Sequence, residues 1–172
     1  RSDGSVWCWG LNLYGALGDG STTSRSTPVR VVGVDRASDV SAGGTHSCAS
    51  SDDGTVRCWG YNGNGNLGNG TTSGGLVPVL ATGLSDATAV TAGRDSSCAR
   101  RSSGRVVCWG RNQEAQLGDG TLTQRSVPTA VAVLTSVQQV SAAGFHGCAV
   151  TSGGELWCWG NNSFGQLGHA PV

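Results

Sequence analysis

Seven cysteines fall in two columns of one lattice: Cys48, Cys98 and Cys148 in the first, Cys8, Cys58, Cys108 and Cys158 in the second. Thiols so placed can form disulfides, hold a metal or attack as nucleophiles. Within a unit the two are ten residues apart, astride a turn such as Asp53-Gly54. An odd number of residues between two hairpin strands sets Cys48 opposite Cys58, so the bridges Cys48–Cys58, Cys98–Cys108 and Cys148–Cys158 are expected, with Cys8 left over. Each closed loop contributes about 2 to 3 kcal/mol in the chain-entropy model, and such bonds place the chain outside the cell or at its surface. Small buried thiols in a reduced chain are the alternative. Spacings of 10 and 40 lack the close pairs of a structural zinc site, so no metal is expected.

Acid–base chemistry finds little support. His46 and His146 share a column in which the middle unit has Ser96; a residue set by the repeat is expected to bond backbone between units rather than act as a base. No Ser-His-Asp set, paired carboxylates or phosphate loop can be picked out, and Glu114 and Glu155 read as solvated loop residues. The reading is a non-enzyme without a cofactor. The columns that vary between units carry the candidate contacts. After each Cys-Trp-Gly the loop offers Leu11 and Tyr14, then Tyr61 and Asn64, then Arg111 and Glu114, then Phe164; the turn before the second strand offers Thr45, Asp95 and Phe145. Tyr, Phe and Arg are enriched at binding hot spots, so a macromolecular partner, a protein first and a glycan second, is expected there. Unselected solvent-facing loop is the plainer reading.

The elements behind these positions follow from a repeat of 50 residues. Cys-Trp-Gly recurs at 8, 58, 108 and 158, and Asn12, Leu17-Gly18, Pro28, Val40 and Cys48-Ala49 keep step with their equivalents. Periods near this length mark propellers or helical arrays. One unit reads as strands at Val40–Ala42, His46–Ser50, Val56–Trp59 and Val77–Ala81. Pro78 suits an edge, because proline cannot donate to the ladder. No window sustains a 3.6-residue apolar period. The expected class is all-β: propeller blades of four antiparallel strands, as a partial blade over 1–38, blades over 39–88 and 89–138, and a partial blade over 139–172. Trp9, Trp59, Trp109 and Trp159 are expected to fill the space between blades as structural residues.

Composition agrees. Charged residues are 13 % of the chain against roughly 25 % in an average domain, and 29 glycines describe turns rather than helices. All 11 basic residues are arginines, scattered rather than clustered, and net charge is zero. A nucleic-acid binder shows a basic stripe; no nucleic-acid partner is expected. No apolar stretch is long enough for a membrane span.

Val-Ser-Ala-Gly-Gly-Thr-His-Ser-Cys-Ala (40–49), Asp-Gly-Thr-Val-Arg-Cys-Trp-Gly (53–60) and Asn-Leu-Gly-Asn-Gly (66–70) together resemble the regulator of chromosome condensation repeat, in a Cys-Trp-Gly variant of bacterial type. The resemblance covers the whole chain and implies blades of a seven-bladed ring, of which about three and a half are present. Relatives by fold include an exchange factor for a nuclear GTPase and an inhibitor of β-lactamases, so a guanine-nucleotide exchange or enzyme-regulating propeller is the alternative function. None of their functional residues is transferred. Plant UV-B photoreceptors share the fold, but their Trp–Arg arrangement is not matched here. Self-association of two copies would nearly supply a ring's length. Both ends lie in the same part of the repeat, however, so joining them would duplicate a strand, and a piece of a longer chain is the preferred expectation.

Overall fold

The computed structural model of the protein describes residues 3–169. Its regular elements are strands. β1 (Trp7–Gly10) and β2 (Arg25–Arg30) form a two-stranded sheet. β3 (Ala37–Ala42), β4 (His46–Ser51), β5 (Val56–Gly60) and β6 (Gly75–Leu80) form an antiparallel sheet in that order. β7 (Ala87–Ala92), β8 (Ser96–Arg101), β9 (Val106–Gly110) and β10 (Arg125–Ala130) repeat it, and β11 (Val137–Ala142), β12 (His146–Thr151) and β13 (Leu156–Gly160) give its first three strands again. The three proline-bearing strands β2, β6 and β10 all lie at sheet edges, where a missing N–H costs the ladder least.

Successive sheets meet at their first strands, β3 against β7 and β7 against β11. Side chains link these strands through main-chain N–H groups. Val90 N donates to Asp39 Oδ2 at 3.0 Å, Ala92 N to Ser41 Oγ at 2.9 Å, and Ala142 N to Thr91 Oγ1 at 3.1 Å. The apolar core lies between sheets rather than within one. Cys48, Val56, Cys58 and Leu67 of one unit pack with Val90, Ala99 and Trp109 of the next. Each sheet is too thin to bury its own face, so a neighbour supplies the other half of the core.

The indoles show this dependence directly. Trp59 and Trp109 are wholly buried, and each reaches back to the preceding unit. Trp59 Nε1 donates to Ala16 O at 2.8 Å, Trp109 Nε1 to Asn66 O at 2.7 Å, and Trp159 Nε1 to Gln116 O at 2.9 Å. A glycine lies under each ring: a Cβ on Gly68 would sit 2.8 Å from the Trp109 ring nitrogen, and Gly68 has φ +70°. Only glycine meets both conditions without strain. Trp9 departs from the expectation of a buried spacer. It is 62 % exposed; among the described residues none packs on the ring as the preceding loop does on Trp59 and Trp109.

The bridges Cys48–Cys58, Cys98–Cys108 and Cys148–Cys158 are present, each joining residues directly opposite on the second and third strands. Cys8 is a free thiol, and burial pushes its pKa up. The third unit breaks a turn rule the others keep. Val133 has φ +53° and is 93 % exposed, whereas Gly33 and Gly83 fill that column with φ +69° and +73°. A β-branched residue in the left-handed region is disfavoured.

Candidate binding face

Chain direction sorts the connections into two ends. In each meander the first turn, such as 43–45, and the long loop after the third strand, such as 61–74, lie at one end. The second turn, 52–55, and the link to the next sheet lie at the other. Tyr61 N donates to Thr45 O at 3.0 Å, Arg111 N to Asp95 O at 2.9 Å and Asn161 N to Phe145 O at 2.9 Å. All ten variable-column residues therefore sit at the same end of the assembly.

The long loops are held by one asparagine each. Asn62 Oδ1 accepts from Leu67 N at 2.9 Å, and its Nδ2 donates to Thr71 O at 3.1 Å and Ser73 O at 2.8 Å. Asn12 and Asn112 make the same set of bonds. In the third loop burial raises the proton affinity of Asp119, but hydrogen bonds from Thr121, Arg125 and Asn112 outweigh it and hold the carboxyl below its usual pKa. The first two loops also lean on the next sheet, through Gly20 N to Leu76 O at 3.1 Å and Gly70 N to Ser126 O at 2.9 Å. These bonds fix the backbone and leave the remaining side chains free to differ.

The variable residues gather into two clusters. Tyr14 and Tyr61 meet across a junction with ring centroids 5.3 Å apart at 63°, a favourable edge-to-face pair, beside exposed Leu11 and Leu13. One repeat along, the Arg111 and Arg94 guanidinium carbons lie 4.9 Å and 5.0 Å from the centre of the Phe145 ring. Asp95 lies 3.6 Å from Arg94, and Glu114 lies 3.8 Å from Arg111. Glu114 is not merely solvated as expected: its Oε2 accepts from Asn161 Nδ2 of the next unit at 3.2 Å. Thr45 and Asn64 are half-buried at the same end. Phe164 stands apart, 92 % exposed. The sequence reading missed Arg94; its signal was a lone cation in a column otherwise held by Gly44 and Gly144.

His46 is buried beneath this end and bonds a side chain, not the backbone expected of it. Its Nε2 lies 2.7 Å from Ser97 Oγ, and that hydroxyl donates to Asn66 O at 2.9 Å. Nε2–H is therefore the donor. Nδ1 is buried without a hydrogen-bond partner, and burial lowers the pKa to about 4. The ring is a neutral spacer between units, out of reach of solvent. Among the described residues no group of three or more His, Cys, Asp or Glu could hold a metal ion, and no helix is long and apolar enough to cross a membrane.

A family model for the regulator of chromosome condensation (RCC1) repeat matches residues 3–50, 53–100 and 103–150. A second model for the same repeat matches 37–66, 87–116 and 137–166. No curated protein matches the chain. Among solved structures, Prp20p from Saccharomyces cerevisiae superposes with a TM-score of 0.81 at 21 % identity, over 98 % of this chain and 44 % of that one. Human WBSCR16 gives 0.77 at 24 % identity, over 90 % and 42 %. The entire ectodomain of the Physcomitrella patens receptor kinase CR4 gives 0.58 at 25 % identity, over 93 % and 37 %. The chain thus spans less than half the length of each of these proteins.

Proposed function

The chain belongs to the regulator of chromosome condensation repeat family, and from that premise we propose that it is a non-catalytic scaffold that presents one end of its propeller blades to a protein partner outside the cell. The observation that carries this reading is the segregation of roles. Residues constant through the repeat make the frame, while Tyr14, Tyr61, Arg111, Phe145 and Phe164 all emerge at one end. A rigid frame with variable loops is the arrangement on which binding residues are placed. Two comparisons support a protein as the partner: Prp20p was studied for its binding to Gsp1p and histones, and as a complex with Kap60. Three disulfides support an oxidising setting, as does the likeness to a receptor-kinase ectodomain.

The test is capture of partners from extracellular fluid by two sets of variants. One changes Tyr14, Tyr61, Arg111 and Phe164 to alanine; the other changes Asp52, Ser102 and Ser152, which are exposed at the opposite end. The wild-type chain and the opposite-end variant should hold a protein that the four-residue variant releases. Equal capture by all three overturns the assignment of the face. Binding to a glycan array without any protein captured would move the reading to carbohydrate.

A further inference from the structure

We infer that Arg94, Arg111 and Phe145 form a receptor for an acidic side chain of the protein partner, a deepening that rests on the proposed binding face. Each guanidinium carries five N–H donors, yet neither the Arg94 nor the Arg111 guanidinium donates a hydrogen bond among the described residues. Their ion pairs, at 3.6 Å and 3.8 Å, are too long to be hydrogen bonds. The Arg111 Nε is buried with no acceptor. Glu114, the carboxylate nearest it, spends one oxygen on Asn161 of the next unit. Two cations are thus drawn to one aromatic ring, within 5.0 Å of its centre, with their directional bonding capacity unspent.

A carboxylate is the chemistry that fits. Arginine forks bind it bidentately and with charge assistance. The Phe145 ring holds both forks through cation–π attraction before any ligand arrives, which lowers the ordering cost of binding. A polyanion is disfavoured: Asp95 and Glu114 flank the cluster, and net charge is zero with no basic stripe to continue it. The arrangement is local to one junction. The column of Arg94 holds Gly44 and Gly144 elsewhere, and that of Arg111 holds Leu11, Tyr61 and Asn161. Selectivity therefore comes from an acidic contact here and an apolar one at Tyr14 and Tyr61.

Twelve-residue peptides displayed on phage and selected on the immobilised 172-residue chain provide the probe. Selected sequences should be enriched in Asp or Glu at one fixed position. Changing that residue to Asn or Gln in a synthetic peptide should weaken binding at least about tenfold. The double variant Arg94→Ala/Arg111→Ala should weaken it equally and abolish the effect of the peptide change. Arg94→Lys/Arg111→Lys, which keeps the charge without the fork, should lose most of the affinity while unfolding at the wild-type temperature. Absence of acidic enrichment, or undiminished binding to the double alanine variant, overturns the inference. If affinity is lost with Tyr14→Ala but not with the arginine variants, the binding face stands and this receptor does not.

Discussion

Trp109 and Trp9 occupy the same column, follow the same cysteine and precede the same glycine, yet one is wholly buried and the other 62 % exposed. The difference lies in what stands beside each strand. Trp109 has the loop of the preceding unit, with Gly68 beneath its ring and Asn66 O accepting its N–H. Among the described residues Trp9 meets no such loop. Burial here is a property of a junction between two units, not of a unit. Stability should then behave as a sum over junctions, as in other stacked repeats.

The strongest way to break this comparison is to truncate both indoles. Trp109→Ala should cost about 3 to 5 kcal/mol, and Trp9→Ala less than about 1 kcal/mol, by urea unfolding of the 172-residue chain. Equal losses would show that Trp9 is covered in solution.

Acid should act next most strongly, through the junction that holds His46. Between pH 6.5 and about 4 the unfolded chain takes up a proton that the folded one refuses. Stability should therefore fall as pH drops through that window, and this histidine should contribute no further loss below it. The shift corresponds to about 3 kcal/mol. His46→Ser, which installs the residue found at Ser96, should flatten that part of the pH profile in equilibrium unfolding. An unchanged slope would place the acid sensitivity elsewhere.

The two cysteine environments give a third contrast. Replacing Cys98 and Cys108 by serine should cost about 2 to 3 kcal/mol, while Cys8→Ser should leave the melting temperature nearly unmoved. Intact mass should lie about 6 Da below that of the reduced chain, two hydrogen atoms for each bridge. The smallest effect is expected at the turn with φ +53°. Val133→Gly should be neutral to stabilising by up to about 1 kcal/mol, the relief of the left-handed strain offset by glycine's larger unfolded-state entropy. Gly83→Val should be destabilising, and differential scanning calorimetry of the pair would resolve the sign.

Strand positions were legible because alternation, turns and the repeat are local. β4 and β5 fall within a residue or so of where Asp53-Gly54 and the flanking apolar residues put them. The cross-strand cysteines followed from counting around that same turn. The one-ended clustering of the variable loops was implicit in the meander. What the chain did not disclose are contacts that depend on two units at once. Arg94 belongs to one turn and Phe145 to another, 51 residues on, and nothing local to either says that they meet. Glu114 looked solvated because Asn161 lies on the next unit. The exposure of Trp9 was hidden for the same reason: its column is identical to the others, and only its neighbour differs.

The indole bonds have a further consequence. Their acceptors are main-chain oxygens of Ala16, Asn66 and Gln116, so the side chain at that position carries no part of the joint and is free to be small, amide or otherwise. A coupling that ignores identity on one side lets a unit be duplicated or exchanged for another without matched changes in its predecessor. Because all three of these indoles reach in the same direction, such insertions preserve one polarity along the stack, and the loops at the binding end arrive in a fixed order.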